Sequence, residues 1–281
     1  MINRQSGGGP KNPYPKCEYK NHPLAFINKM MQKADGVYTS KNFDFVVALA
    51  RRDQRIKRRP RVESVRVLEA LTQCALYHWD IIADKVTTTA HNIAIKTHTA
   101  TESAAKNFGI SRVLRHLHLL NRLGLIRLSK TCFRKDLGCY EPIDFTFTSL
   151  FFEMLDVSEA AVISARNSLV ANENRQRKEK GLAILELAEL AAERLKTWIT
   201  TFADIKRKRK AQGELRYQRR KDAERTRKEI YNIEYKATLA RIRAGKFNPS
   251  SPSEIREEIE RRTNQRMITR KLDTRLSLSP A

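Results

Sequence analysis

Hydrophobic residues recur at three- and four-residue spacing in two stretches of the chain, residues 62–79 and 110–123. In the first stretch they are Val62, Val65, Leu68, Leu71, Ala75, Leu76 and Trp79. Because an α-helix repeats every 3.6 residues, this spacing predicts a helix with one apolar face. Between the two stretches, "DKVTTT" indicates a turn with a brief β-rich segment, and "TAHNIAIKTHT" indicates a short helix capped by Thr88 or Thr89. The pattern therefore predicts three successive helices.

The helix predicted over residues 110–123 has two chemically different faces. Ile110, Val113, Leu114, Leu117 and Leu120 fall on one side of a helical wheel, and Ser111, Arg112, Arg115, His118 and Arg122 fall on the other. Ser111 is a suitable N-cap, and Gly124 follows where a C-terminal glycine cap is expected. The apolar side predicts core packing. The five polar residues are the predicted contacts to DNA bases, since an Arg guanidinium can donate two hydrogen bonds to guanine.

The periodicity changes from 3.6 to 2 after Gly124. "LIRLS" and "IDFTFT" alternate between apolar and polar residues and predict a two-stranded hairpin, with Ile143, Phe145 and Phe147 facing inward. The predicted order is helix, short strand, helix, connector, helix and hairpin. This is the order of a winged helix-turn-helix, in which the third helix enters the DNA major groove and the hairpin forms the wing. Arg134 and Lys135 lie near the tip of the predicted wing.

The composition predicts five segments along the chain. They are a flexible N-terminal arm (1–23), a helical lead-in and basic linker (24–60), a winged-helix DNA-binding domain (61–150), a basic helical C-terminal domain (151–275) and a loose tail (276–281). The fold class is mainly α with a small β-hairpin, and a second, degenerate winged helix is an alternative for the C-terminal domain. The linker holds seven cations between Arg51 and Arg61. Such a run is often only solvated, but its closeness to the next helix also favours phosphate contact.

Positive charge bears most directly on the kind of partner. The 281 residues include 55 Lys plus Arg against 31 Asp plus Glu, a formal net charge of +24. A charge of this size repels itself and favours a polyanionic partner, with nucleic acid ahead of an acidic membrane surface or an acidic protein. The predicted phosphate-contacting residues are Arg127, Lys130, Arg134, Lys135, Lys206, Arg207, Lys208, Arg209, Lys210, Arg216, Arg219, Arg220 and Lys221.

Motifs for other chemistry do not occur in the chain. There is no P-loop, zinc-protease motif, hydrolase nucleophile elbow or pair of carboxylates in a polar cluster, so no enzymatic activity and no catalytic residue are predicted. His116 and His118 point away from each other on a helix, and the four cysteines form no CxxC pair, so no metal or other cofactor is expected. No apolar run has the length of a transmembrane helix, and the N-terminus has no secretory signal pattern.

Five separated segments of the chain are similar in sequence to a known protein family. They are "KNFDFVVALARR", "TATESAAKNFGISRVLRHLHLLNRLGLI", "GCYEPIDFTFT", "LDVSEAAVISARNSLVANENRQRKEKGL" and "EIERRTNQRMI". Together they cover most of the chain after about residue 25, in the expected order and without large gaps. In these segments the chain resembles the RepA replication initiators of IncFII-type and related plasmids.

The resemblance implies a plasmid replication initiator. Such a protein binds the double-stranded origin of its plasmid sequence-specifically, promotes opening of the duplex, recruits host DnaA and the replicative helicase, and sets plasmid copy number. It implies a DNA-associated location in the bacterial cytoplasm, no membrane partner and no catalytic residue.

Two alternatives from other classes stay open at this point. A winged-helix transcriptional repressor would use the same DNA-reading helix, and a basic RNA-binding protein would also use basic helices with interleaved tyrosines. The residues leave open whether the active form is a monomer or a homodimer.

Overall fold

The structure is a computed structural model that describes residues 12–102, 108–135 and 138–276. Contacts divide the chain into two compact units, Met1–Phe202 and Ala203–Ala281. Both are mainly helical, as predicted, and the strands found in the described residues belong to the first unit. The beginning of the predicted arm (residues 1–11) and the predicted tail after residue 276 lie outside the described residues.

The first unit is built mainly from helices. They are α1 (Ala25–Ala34), a 3-10 helix (Val37–Thr39), α2 (Lys41–Arg52), α3 (Val62–Tyr77), α4 (Ala90–Lys96), α5 (Ser111–Leu123), α6 (Ser149–Met154) and α7 (Glu159–Glu179), followed by α8 (Leu187–Glu224). Ser40, Thr89, Thr148 and Ser158 each accept the backbone N–H three residues later. The predicted cap at Thr89 is thereby confirmed.

The strands of the described residues are short and form antiparallel pairs. β1 (Trp79–Asp80) pairs with β2 (Lys85–Val86), β3 (Thr101–Glu102) with β4 (Phe108–Gly109), β5 (Ile126–Leu128) with β8 (Phe145–Phe147), and β6 (Phe133–Arg134) with β7 (Cys139–Tyr140). Ile126 lies opposite Phe147, which confirms the hairpin predicted from the alternating pattern. Phe145 and Phe147 are buried, as predicted, and Ile143 is half-buried.

One hydrophobic core joins α1, α2, α3, α5, the β5–β8 pair and α6. Its large buried side chains include Tyr38, Phe43, Leu68, Leu71, Phe145 and Phe151. The segment predicted as lead-in and linker contributes to this core, because α1 and α2 each bury one apolar face. The predicted apolar face of α3 is wrong at its first residue, since Val62 is 67% exposed there, whereas Val67 is buried.

Residues 12–23, predicted as part of a flexible arm, pack on the first unit. The ring of Tyr19 stacks on that of Tyr77 with 3.8 Å between centroids. The ammonium of Lys96 lies 2.8 Å from the carboxylate of Glu18, and this hydrogen bond lowers the pKa of Glu18. Prolines in this stretch led to the prediction of an arm, whereas a few aromatic and charged side chains fix it in place.

The first unit continues beyond residue 150, where the predicted C-terminal domain begins. Phe151 of α6 and Val162 of α7 are buried in its core. Farther along, Arg194 of α8 donates to Asp80 at 3.1 Å and to Glu173 at 2.9 Å. Because these contacts hold residues 151–202 to the first unit, the division falls at residue 202.

The second unit contains, in its described residues, the end of α8 together with α9 (Arg227–Arg243) and α10 (Pro252–Leu276). Its interior includes two buried carboxylates, Asp222 and Glu234. Arg266 neutralises both, donating to Asp222 at 2.8 Å and to Glu234 at 2.6 Å. Buried charges are stable only when they are paired in this way, so this network belongs to the interior of the unit.

The start of α10 is capped by the Ser251 hydroxyl, which accepts the N–H of Glu254 at 3.4 Å. Residues 203–276 contain no strand. The alternative of a second winged helix requires a hairpin, and the described part of this unit lacks one.

Candidate nucleic-acid interface

Four of the five predicted base-contacting residues share the exposed face of α5. Ser111, Arg115, His118 and Arg122 are exposed and follow one another at helical spacing. Nε of Arg115 donates to the carbonyl oxygen of Ser111 at 3.2 Å, so the guanidinium lies along the first turn. The opposite face is buried through Val113, Leu117, Leu120 and Leu123. α5 therefore presents a basic surface while its other side anchors it in the core, and base contact by that surface stays a prediction.

Arg112 differs from the other four residues because it is only 9% exposed. Its Nη1 donates to the carbonyl oxygen of Asn12 at 2.6 Å, so a residue a hundred positions away covers it. Burial lowers the pKa of the Arg112 guanidinium, and the carboxylate of Glu63 acts in the opposite direction. The prediction that Arg112 lies on the exposed reading face is wrong, since a helical wheel cannot include a segment from elsewhere in the chain.

The beginning of α5 also differs from the prediction. Ser111 is the first helical residue, and the N-cap is Ile110, which offers no side-chain hydrogen bond. No side chain in the described part of the chain therefore caps the N–H groups of this first turn. An uncapped helix N-terminus next to Arg115 is compatible with an anionic partner.

The end of α5 is fixed by contacts from two other parts of the chain. Gly124 has a φ of 79°, the left-handed conformation predicted for its C-cap. The hydroxyl of Thr148 donates to the carbonyl oxygen of Gly124 at 2.6 Å. A Cβ atom at position 124 would lie 2.5 Å from Nη1 of Arg55, so the guanidinium of Arg55 lies against this glycine. The residues Arg51–Arg61, here called the basic segment, therefore reach the C-terminal end of α5 through Arg55.

The hairpin after α5 carries the next group of predicted phosphate contacts. Arg127, Lys130 and Lys135 are exposed. Arg134 donates to the carboxylate of Glu141 at 3.0 Å across the β6–β7 pair, which uses part of its hydrogen-bonding capacity within the hairpin. The hairpin that follows α5 in the chain therefore also presents exposed cations.

The base of the hairpin is held to the rest of the unit by an ion pair. Lys85 of β2 binds the carboxylate of Asp144, which immediately precedes β8. At the far end, the rings of Phe133 and Tyr140 are both more than half exposed and pack against each other with 5.2 Å between centroids. The hairpin is therefore anchored at its base, with an aromatic pair at β6 and β7.

The remaining predicted phosphate contacts lie on α8 in the second unit. Every residue from 204 to 218 is exposed. This range and the residues after it contain Lys206, Arg207, Lys208, Arg209, Lys210, Arg216, Arg219, Arg220 and Lys221. Arg207 pairs with Asp204 at 3.0 Å, Lys221 lies 4.7 Å from the ring centroid of Tyr217, and Arg219 is half-buried. Phosphate contact at these positions stays a prediction.

The described ranges contain no group of three or more His, Cys, Asp or Glu side chains that could hold a metal ion. None of the described helices has the length and apolar character needed to cross a membrane. All four cysteines are free.

Comparison with known proteins assigns the chain to a family. Residues 10–271 match the IncFII RepA protein family. The chain belongs to this family. A relative from Escherichia coli, named "Replication initiation protein", is 39% identical over 247 residues, which cover 87% of this chain and 85% of the relative. The match includes α5, the hairpin and α8, so the candidate surfaces lie within the region that defines the IncFII RepA family.

More distant relatives carry related names. A protein from Buchnera aphidicola subsp. Cinara cedri, named "Probable replication-associated protein repA1", is 29% identical over 195 residues, covering 65% of this chain and 69% of the relative. No solved structure matches the chain.

Proposed function

We propose that this IncFII RepA family member is a plasmid replication initiator that binds the double-stranded origin of its plasmid sequence-specifically. The observation that carries the proposal is the exposed Ser111–Arg115–His118–Arg122 face of α5, followed directly by the basic hairpin. The name of the Escherichia coli relative supports a role in replication initiation.

In this proposal α3, α4, α5 and the β5–β8 hairpin form a winged helix-turn-helix. α5 enters the major groove, and Arg115 and Arg122 donate to guanine acceptors, with Ser111 and His118 as further contacts to bases. Arg127, Lys130, Arg134 and Lys135 of the wing bind phosphates, as does the run of cations on α8 from residue 206 to 221. Phosphate contacts hold the register, and the exposed face of α5 discriminates among sequences.

The proposal also includes the steps by which the bound protein starts replication at the origin. The proposal includes opening of the duplex, recruitment of host DnaA and the replicative helicase, control of plasmid copy number, and a DNA-associated location in the bacterial cytoplasm. Binding of this kind requires no covalent chemistry by the protein, so no catalytic residue is proposed.

Arg115→Ala tests the proposed reading helix. We expect the variant to lose roughly 1–3 kcal/mol of discrimination between an origin duplex and a shuffled duplex of equal length, because a bidentate contact to one base is removed. Fluorescence anisotropy at a fixed salt concentration measures both affinities. Lys178→Ala, which removes an exposed cation from α7, is the matched control and should leave the discrimination unchanged. Equal losses on both duplexes would remove Arg115 from base reading.

A replication assay separates initiation from the two alternatives. The protein is supplied in trans to a plasmid that carries only the origin and a selectable marker, and the proposal expects the plasmid to replicate. A transcriptional repressor would bind the same DNA without supporting replication. An RNA-binding protein would prefer structured RNA to the origin duplex in a competition assay.

A further inference from the structure

The basic segment Arg51–Arg61 is an ordered part of the first unit. The N–H groups of Arg55 and Ile56 both donate to the carbonyl oxygen of Ala50, at 2.9 and 3.2 Å, which closes the turn after α2. The Ile56 side chain is 7% exposed and lies in the core. The segment is therefore held in one position on the unit, which a freely solvated linker would not be.

That position is the C-terminal end of α5. Arg55 lies so close to Gly124 that a Cβ atom there would come within 2.5 Å of its Nη1. A guanidinium at this place also interacts favourably with the negative end of the α5 dipole. The basic segment consequently borders the helix whose exposed face is the proposed DNA-reading surface.

Nearby carboxylates leave part of the positive charge unpaired. Asp53 binds Arg52 at 3.0 Å and Arg55 at 2.9 Å, and Asp44 binds Arg59 at 2.8 Å. The other four cations of the segment are exposed and have no ion-pair partner within the described ranges: Arg51, Lys57, Arg58 and Arg61. Four unpaired like charges within this short segment repel one another, and a polyanion relieves that repulsion.

We propose that the basic segment binds phosphates of the duplex beside the bases contacted by α5, and so fixes the register of that helix on the DNA. The inference rests on the proposed DNA-binding function and adds a surface to it. Duplex DNA is favoured over an acidic protein because the basic segment reaches the C-terminal end of α5 through Arg55, so one partner can meet both surfaces. Contacts to phosphates flanking a reading helix are the usual means of fixing its register.

The test uses the full chain with four substitutions, Arg51→Gln, Lys57→Gln, Arg58→Gln and Arg61→Gln. Affinity for the origin duplex and for a shuffled duplex is measured by anisotropy between about 50 and 200 mM salt. Each lost phosphate contact should reduce the slope of log K against log salt by roughly 0.9 on both duplexes. We also expect ethylation interference to vanish at phosphates on one edge of the origin footprint.

The matched control removes the same number of exposed cations from the second unit, by Lys228→Gln, Lys236→Gln, Arg243→Gln and Lys246→Gln. This control should keep a steeper slope than the first variant and should keep the edge of the footprint. If the fourfold variant does not fold, the single substitution Arg58→Gln provides the test of phosphate binding by the basic segment. Arg58 has neither burial nor an ion-pair partner among the described residues, and its loss should lower the slope by roughly 0.9.

The outcomes separate this inference from the proposed function. If the wild-type protein prefers the origin duplex but the fourfold variant keeps both its salt slope and its footprint, the inference is overturned and the proposed function stands. Unchanged DNA binding together with lost binding to poly-glutamate would overturn it in favour of an acidic protein surface. If the wild-type protein shows no preference for the origin duplex, the proposed function itself fails.

Discussion

Gly124 combines two requirements that a side chain would violate. Its φ of 79° lies in the left-handed region, where a Cβ atom costs about 1–2 kcal/mol. The same Cβ atom would lie 2.5 Å from Nη1 of Arg55. Because a guanidinium is the far end of a flexible side chain, Arg55 can move away, but it then leaves its position at the end of α5.

We predict that Gly124→Ala lowers the free energy of unfolding by about 1–2 kcal/mol, with an additional loss from the displaced Arg55. Gly181→Ala is the matched control, since Gly181 has a φ of 69° and no atom lies within 4 Å of its Cβ position. Urea unfolding is followed by tryptophan fluorescence, because Trp79 and Trp198 both lie in the first unit. The additional loss should disappear in an Arg55→Ala background. An equal excess in both backgrounds would contradict a role for Arg55.

Arg112 shows that the burial of a single residue cannot be predicted from local sequence. The helical wheel places it correctly relative to Arg115, yet the carbonyl oxygen of Asn12 binds its guanidinium at 2.6 Å. Local periodicity determines which side of a helix a residue occupies. It does not determine whether a distant segment covers that side. The same limitation explains why the packed residues 12–23 were predicted as an arm.

At the scale of elements, periodicity predicted α5 and the hairpin because both have one buried and one exposed side. Phe145 and Phe147 are buried on either side of the half-buried Thr146, as a two-residue repeat requires. α8 has no such asymmetry in its second half, where residues 204–218 are all exposed. Charge is the only guide to function in that part of the helix.

We predict that Lys208→Gln, Arg209→Gln and Lys210→Gln together reduce the salt slope of DNA binding by roughly 2–3, since each removed phosphate contact contributes about 0.9. These three are a sharper choice than Arg207, which pairs with Asp204 at 3.0 Å. Anisotropy titrations on the origin duplex at several salt concentrations measure the slope. Lys228→Gln, Lys236→Gln and Arg243→Gln on α9 provide the control. If the two triple variants have the same slope, the cations of α8 are not phosphate contacts.

The distribution of charge over the whole molecule separates cations that hold the fold from cations that face solvent. In the second unit, Arg266 is engaged by Asp222 and Glu234 in its interior. In the first unit, Arg194 forms ion pairs with Asp80 and Glu173. The net charge of +24 includes these paired arginines together with the exposed ones. It therefore indicates a polyanionic partner but does not show which surface of the protein binds that partner. Among the described residues, α5, the hairpin, the basic segment and α8 each carry exposed cations that have no carboxylate partner.

Acid should destabilise the first unit through histidines whose pKa is lowered by folding. Burial lowers the pKa of His22, His78 and His116 below the ordinary value of about 6.5. Above that value these side chains are neutral in both the folded and the unfolded chain. As the pH falls through about 6.5, the unfolded chain binds protons first, so stability is lost progressively down to the depressed pKa values of the folded state.

We therefore predict that the free energy of unfolding, measured by urea and tryptophan fluorescence, decreases between about pH 7 and pH 5.5. His116→Gln should make this decrease shallower, because it removes one of the three half-buried imidazoles. His118→Gln changes an exposed histidine two residues away on the same helix and should follow the wild-type curve. Identical pH dependence in His116→Gln and the wild type would mean that burial of this imidazole does not contribute to acid sensitivity.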